Sequence, residues 1–467
     1  MSLLLDPDQR QKLWLRVGEI IERYACHVGE LPVSPVLDPD AVRALLAPFD
    51  FETPCPPVEM VDWVETHLSR FQVHPPHPRY YGLYNPAPAA MGIAGDALAA
   101  AFNPNLAAWS HSPLAVEIEL HLIRAFAARF GYSPSEAAGS FCSGGAEANH
   151  TALAVALTRA FPQFPGDGAR ALDGDPVFYA SAECHHSFLK AAGLSGIGRR
   201  ALRPIPVDGS LRMIPAALEA AVAEDRAAGR IPFMAIGTAG TTNAGAIDPL
   251  PEIAALCVRE RLWFHVDAAW GGAAAFSRSL RPLLQGIERA DSITFDAHKW
   301  MSVPMGAGVY ITRHPEHLTR AFRTPTAYMP KEAAGLDVSD LHLLSMQWSR
   351  RFTGLKVFLS LAAAGWDGYE ETVDRMAAIG DLLRRELRRA GWNILNHTPL
   401  PIVCFDGGGS VDSIARAVVA SGEAWISTTV LAGSTRALRA CITNYRTDDQ
   451  DVRALIASLD TARRASS

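Results

Sequence analysis

No stretch of this sequence reaches the roughly 18 consecutive apolar residues needed to span a bilayer. The opening Met1-Ser-Leu-Leu-Leu-Asp6 has neither a basic start nor an apolar segment long enough for a secretory signal. A membrane partner is therefore not expected. Basic charge is scarce too: 49 acidic residues outnumber 43 lysines and arginines, giving a net charge of −6 and a pI near 6.2. Such a balance leaves no electrostatic footprint for nucleic acid. The seven cysteines, Cys26, Cys55, Cys142, Cys184, Cys257, Cys404 and Cys441, have no paired spacing. Neither a disulfide framework nor a metal site is expected, and a reducing cytoplasm is the natural compartment. Nucleotide signatures are missing as well: no glycine turn ends in Gly-Lys-Ser/Thr, and Gly193-Leu-Ser-Gly-Ile-Gly198 lacks the context of a dinucleotide fingerprint.

What is present is organised in three regions. At 467 residues the chain exceeds one ordinary core. In residues 1–71, Leu13, Trp14, Val17, Ile20, Ile21 and Tyr24 recur at three and four residues, which predicts a helical arm whose apolar stripe must be covered by something. From about 72, short apolar runs at 176–181, 201–206, 233–239, 262–268, 292–296 and 307–312 alternate with helical patterns. That alternation predicts an α/β domain with a mainly parallel sheet, extending to about 368, whose ligands lie beyond the carboxyl ends of the strands. Residues 369–467 read as a smaller domain with strands near Trp392–Leu395 and Ala437–Thr443, and Asp406-Gly-Gly-Gly-Ser410 as a solvated turn.

Two residues at such strand ends carry chemistry. Lys299 lies in Ser292-Ile-Thr-Phe-Asp-Ala-His-Lys-Trp300, downstream of Asp267 in Phe264-His-Val-Asp-Ala-Ala-Trp270. A pyridoxal phosphate enzyme needs this pair: a lysine to hold the cofactor aldehyde, and a carboxylate to keep its pyridine nitrogen protonated so that electrons released at an amino acid's Cα can drain into a cationic ring. Singly, a surface lysine and a strand-end aspartate are the ordinary readings. Further pieces follow in a workable order. Gly139-Ser-Phe-Cys-Ser-Gly-Gly-Ala-Glu-Ala-Asn149 places glycines before a helix, where backbone amides bind phosphate. Cys184-His-His-Ser-Phe-Leu-Lys-Ala191 follows a strand and offers an imidazole that can stack on a flat ring, while Ala235 to Pro249 breaks from an apolar strand into hydroxyls and glycines.

Together these motifs resemble the group II pyridoxal phosphate-dependent amino-acid decarboxylases, the family of aromatic-L-amino-acid, glutamate and histidine decarboxylases, from about His77 to the C-terminus. The resemblance implies the PLP-dependent transferase fold (fold type I). It implies a mainly parallel seven-stranded large domain over 72–368, a smaller C-terminal α+β domain, and an N-terminal arm wrapped around a second subunit of a homodimer. The cofactor implied is pyridoxal 5′-phosphate. Lys299 then holds it, Asp267 faces its ring nitrogen, Ala269 lies under the ring, His185 stacks on it and Thr242 lies near its face. Gly144, Gly145, Ala146, Ser292 and His298 fall at phosphate-binding positions. Two positions depart from the family pattern: Ala146 replaces a hydroxyl residue, and Asp296 stands where an asparagine often lies, putting negative charge near a dianion.

The expected activity is removal of CO2 from an aromatic L-amino acid. Arg323 to Gly335 resembles the family's mobile catalytic loop, about 323–340, in which Tyr328 matches the tyrosine that protonates Cα. Leu83 replaces the glutamine that serves glutamate's distal carboxylate, and Tyr81, Tyr84 and Trp109 give the same wall an aromatic character. Arg439 matches an arginine that pairs with a substrate carboxylate, with an interdomain salt bridge as the equal alternative. Ser349, in a segment resembling the family's Gly-Arg-Arg-Phe, replaces a glycine that borders the substrate ring. A serine there favours tyrosine, phenylalanine or DOPA over tryptophan, unless it only caps a helix from Arg350 onward. An aldehyde synthase of the same family, or a decarboxylase of 2,4-diaminobutyrate or glutamate, is the alternative; a non-enzymatic scaffold would need none of these residues.

Overall fold

In the computed structural model, which describes residues 3–465 apart from Pro325, Ala327 and Lys331, seven short runs form one sheet. They are β1 (Ala138–Cys142), β2 (Pro176–Ser181), β3 (Leu202–Ile205), β4 (Ile231–Thr238), β5 (Trp263–Asp267), β6 (Ser292–Asp296) and β7 (Gly308–Thr312), in the order β1-β7-β6-β5-β4-β2-β3. Strands β6, β5, β4, β2 and β3 run parallel; β7 is antiparallel to both of its neighbours. The sheet is thus mainly parallel with one reversed strand. Six of the seven follow the apolar runs; β2 and β4, covered on both faces, read as nearly continuous hydrophobic stretches. The seventh, β1, is hidden in the glycine motif. A Cβ added at Gly139 would stand 2.1 Å from the Tyr310 carbonyl oxygen, so only glycine fits beside β7 there.

A second sheet, β8 (Asn393–Ile394), β9 (Ile402–Asp406), β10 (Ser427–Leu431) and β11 (Thr435–Cys441), is antiparallel throughout, in the order β10-β11-β9-β8. Strand β10, Ser-Thr-Thr-Val-Leu, is a half-polar edge strand and escapes a hydrophobicity reading. At the other end of the chain, α1 (Pro7–His27), α2 (Pro39–Leu46) and α3 (Pro57–Phe71) form the helical arm. Asp6 caps α1 through Gln9 N–H, and proline opens it. Arg16 and Arg23 tie α1 to Asp62 and Glu65 of α3 at 2.5–3.2 Å. No residue of these three helices is buried, and Trp14 is 63% exposed. No helix among the described residues is long and apolar enough to cross a membrane.

Helix α4 (Ala90–Phe102) precedes α5 (Pro113–Arg129), and α6 (Gly145–Ala160) leaves β1 across the sheet. A buried ion pair locks α5 to the chain entering the helical segment Gly354–Arg389, which is broken by a kink at Gly365. Arg350 Nη2 reaches Glu119 Oε2 at 3.2 Å and the Phe141 carbonyl at 3.3 Å, Arg350 Nη1 donates to Ser345 Oγ, and Glu119 Oε1 accepts from Gly354 N–H at 2.9 Å. Burial raises Glu119 above the usual carboxylate range, against the pull of Arg350. Because the helix starts at Gly354 and the capping position before it is Thr353, the exposed Ser349 does not cap it, contrary to the expectation of a helix from Arg350 onward. Glu119→Ala would strand the guanidinium without a counter-charge, so urea unfolding should give a loss of about 3–5 kcal/mol; a loss under about 1 kcal/mol would mean that water replaces the carboxylate.

Candidate active site

Strand β5 ends in His265-Val266-Asp267, and the two-residue strand period points His265 and Asp267 to the same face. That face meets α6. Asp267, only 5% exposed, has both oxygens held: Asn149 Nδ2 donates to Oδ2 at 2.9 Å and Ala269 N–H to Oδ1 at 3.1 Å. The Asn149 amide also donates to Ser187 Oγ at 2.9 Å, and Ser187 in turn meets His185 Nδ1 at 2.9 Å. Beneath them runs a relay of fixed polarity. Trp263 Nε1 donates to Ser292 Oγ at 2.9 Å, Ser292 meets His265 Nδ1 at 2.8 Å, and His265 Nε2 reaches Asn149 Oδ1 at 3.3 Å. Burial pushes His265 down to about 4, so the ring stays neutral and can both donate and accept.

A second group of residues closes the opposite side. The turn between β1 and α6, Ser143-Gly144-Gly145-Ala146, directs the unpaired amides of a helix start into a cavity of about 260 Å³. Glu147 accepts from Ser143 N–H at 2.7 Å, which fixes the turn. A Cβ on Gly308 would lie 2.5 Å from the Gly144 carbonyl carbon, so β7 presses on it from behind. From the end of β6, Lys299 Nζ contacts Asp296 Oδ2 at 2.9 Å, and His298 Nδ1 accepts from Ala307 N–H at 3.2 Å. Burial lowers His298, with Asp296 opposing the shift. Asn149, His185, Thr242, Asp267, Ala269, Trp270, Asp296, His298 and Lys299 all line this cavity. It offers what a phosphate-bearing aldehyde with a basic ring nitrogen requires: free amides at one end, a buried and oriented carboxylate at the other, and an amine between.

Residues 48–407 match the family model described as the pyridoxal-dependent decarboxylase conserved domain. The chain belongs to that family. Its cofactor is pyridoxal phosphate and its activity that of a carboxy-lyase. An aromatic-L-amino-acid decarboxylase of Bacillus atrophaeus is 30% identical over 97% of this chain and 95% of its own length. An L-2,4-diaminobutyrate decarboxylase of Rhizobium meliloti (strain 1021) is 34% identical over 80% of this chain and 76% of its own. The solved structure of mouse CSAD superposes with a TM-score of 0.92 at 26% identity, covering 98% of this chain and 99% of that one. The fold is therefore the fold type I expected, while relatives of different specificity stand at similar identity.

The remaining positions expected in a decarboxylase site are dispersed. Ser292 opens β6, level with His265 rather than with the glycine turn, and its hydroxyl belongs to the relay under Asp267; it does not line the cavity, so a phosphate contact is not where the structure puts it. Arg439 lies behind the wall. Its Nε and Nη2 donate to the Thr242 carbonyl at 3.1 and 2.9 Å and its plane covers Tyr84 at 4.8 Å, an interdomain contact that involves no acid. Tyr84, in the left-handed region at φ 68°, donates to the same carbonyl at 2.7 Å and packs on Trp270. Tyr81 is wholly buried and Leu83 is 62% exposed. Trp109 donates to Glu117 at 3.0 Å. Tyr328 is 74% exposed and stacks on Trp348; Pro325, Ala327 and Lys331 of its loop lie outside the described residues. Ser349 borders a separate groove with Asn103, Asn105 and Arg351.

Asn149, Ser187, His265 and Trp270 were not singled out from sequence. Asn149 had one available signal, a polar side chain four residues into an alanine-rich helix that begins at the glycine turn. Asn149→Ala removes one of two donors to a buried carboxylate, an effect of about 1–3 kcal/mol. Titrating the apoenzyme with pyridoxal phosphate should then give a Kd raised roughly ten- to hundredfold. A change below about twofold would mean that Ala269 N–H alone orients Asp267.

Proposed function

We propose that the protein is a cytoplasmic homodimer that converts an aromatic L-amino acid into its amine and CO2, with Lys299, Asp267, His185 and Tyr328 as its working residues. The observation that carries this reading is the shared cavity of Lys299 and the doubly held Asp267. Pyridoxal phosphate, when bound, supplies a cationic ring that takes up the electrons left when the carboxylate departs. Amides of Gly144, Gly145 and Ala146, with His298, would hold its phosphate, and His185, Ala269 and Thr242 would flank its ring. Asp267, held by two N–H donors, would keep a proton on the ring nitrogen. Lys299 provides the amine, and the Asp267–Asn149–Ser187 chain fixes the position of His185. All seven cysteines are unpaired, in keeping with a reducing compartment.

Specificity follows from what lines the cavity. Its described lining includes no arginine, and its one lysine is paired with Asp296, so the distal carboxylate of an acidic substrate would have no partner. Trp270, backed by Tyr84, offers an apolar wall instead. Trp109, Tyr328 and Ser349 do not line this cavity, and Trp14, Leu15 and Ile21 of α1 with Leu98 and Phe102 of α4 leave apolar surface open. A second copy would cover that surface and deliver Tyr328, the donor of a proton to Cα, and Ser349 to the cavity of its neighbour.

Hybrid dimers test the arrangement. Lys299→Ala alone should lose visible absorbance and nearly all turnover, and Tyr328→Phe alone should lose amine formation. Random pairing of the two in co-expressed dimers should restore about a quarter of wild-type amine formation, since half the dimers carry one intact site. No recovery would place both residues in one protomer's site. For the substrate, kcat/KM should favour tyrosine, phenylalanine or DOPA over tryptophan by roughly tenfold or more, and Ser349→Gly should narrow that ratio. Faster turnover of glutamate, cysteine sulfinate or 2,4-diaminobutyrate in the same panel would overturn the aromatic assignment.

A further inference from the structure

Asp296 is 1% exposed, and its two oxygens are unequally served. Oδ2 contacts the Lys299 ammonium at 2.9 Å, whereas Oδ1 is buried with no hydrogen-bond partner among the described residues. The carboxylate also lies against the first residue of α6: a Cβ built on Gly145 would be 2.7 Å from Oδ2. The amides that would receive a phosphate therefore share their space with an acid. Like charges this close, away from water, repel several times more strongly than in solvent.

We propose that Asp296 carries a proton whenever a phosphate occupies the turn between β1 and α6, and that it donates this proton in a hydrogen bond to a phosphate oxygen. The inference rests on the reading of that turn as the cofactor's phosphate site. The groups around Asp296 leave few alternatives. His298 Nε2, 3.9 Å away, belongs to a ring that burial holds neutral, and Cys142 from β1 is a thiol that burial keeps protonated. His185 lines the same cavity. Glu147 of α6 is committed to Ser143 N–H and to the Gln347 amide at 2.7 Å each. Lys299 is thus the compensating cation among the described groups lining the cavity. As its nitrogen bonds to the aldehyde carbon, two of its three ammonium protons leave with the carbonyl oxygen as water and the third stays on the nitrogen. The single positive charge that remains offsets the carboxylate but not a carboxylate and a phosphate dianion together, and the proton that Asp296 takes up comes from solvent. A neutral acid with one oxygen unpartnered is also a less unfavourable thing to bury than a carboxylate in that state.

Difference infrared spectroscopy of the full-length enzyme reads this directly. Adding pyridoxal phosphate to wild-type apoenzyme should produce the carbonyl band of a buried protonated carboxyl. Phosphate-free pyridoxal, which engages Lys299 equally, should not, and neither should Asp296→Asn with pyridoxal phosphate. At about pH 9 the wild type should release cofactor on dialysis roughly tenfold faster than Asp296→Asn, whose amide cannot become an anion. A wild type that loads without the band, a band that persists in Asp296→Asn, or equal release rates would overturn the role of Asp296 and leave the cofactor site standing. Absence of any bound pyridoxal phosphate in wild type would overturn both. Should Asp296→Asn fail to fold, the contrast between pyridoxal and its phosphate in the wild type decides alone.

Discussion

The site depends on one electrostatic demand: a carboxylate taken out of water at the end of β5 must be met by donors or it will not remain charged. Asp267 is met by Asn149 and Ala269, and Asn149 can donate to it because its own oxygen is engaged by His265, which Ser292 and Trp263 hold in one orientation. Polar groups from β5, β6 and α6 are thereby committed to a single charge. The side chains that would touch the ring are set by the same bonds, since His185 hangs from Asn149 through Ser187. The polar chain from Trp263 through Ser292 and His265 to Asn149 serves to hold one oxygen pair and aim it.

Residues near a chain turn were legible in sequence, and residues joined only by folding were not. The strands around Asp267 and Lys299 announced themselves as continuous apolar runs, and the glycine turn, His185 and Thr242 stood at their ends. Strand β1 was obscured because the glycine needed for its close contact with Tyr310 is the residue least expected in a strand. Ser292 looked like a phosphate ligand from its motif, but strand register turned its hydroxyl to His265. Arg439 was ambiguous because an arginine's partner is decided by tertiary approach; here it is a backbone carbonyl in the other sheet's neighbour.

The substrate-facing expectations behave differently for a physical reason. Leu83, Trp109, Tyr328 and Ser349 occur in segments that leave the cavity wall, and in one chain they do not converge. Local pattern predicts the chemistry of a strand end well. It predicts poorly which surface segments will share a site, because that depends on packing between surfaces, not on spacing along one chain.

The lysine turn has one more property. Asp296 pairs with Gly308 across β6 and β7, and Ala297 N–H reaches the Ala307 carbonyl at 2.8 Å, so residues 298–306 hang from two pinned posts. Gly308 is itself wedged against Gly144. A slip of one residue in this pairing would turn every β7 side chain to the opposite face and carry Lys299 out of reach of the glycine turn. A chain mispaired at its centre would offer no amine at the glycine turn, so colour from bound coenzyme reports the register of β6 against β7.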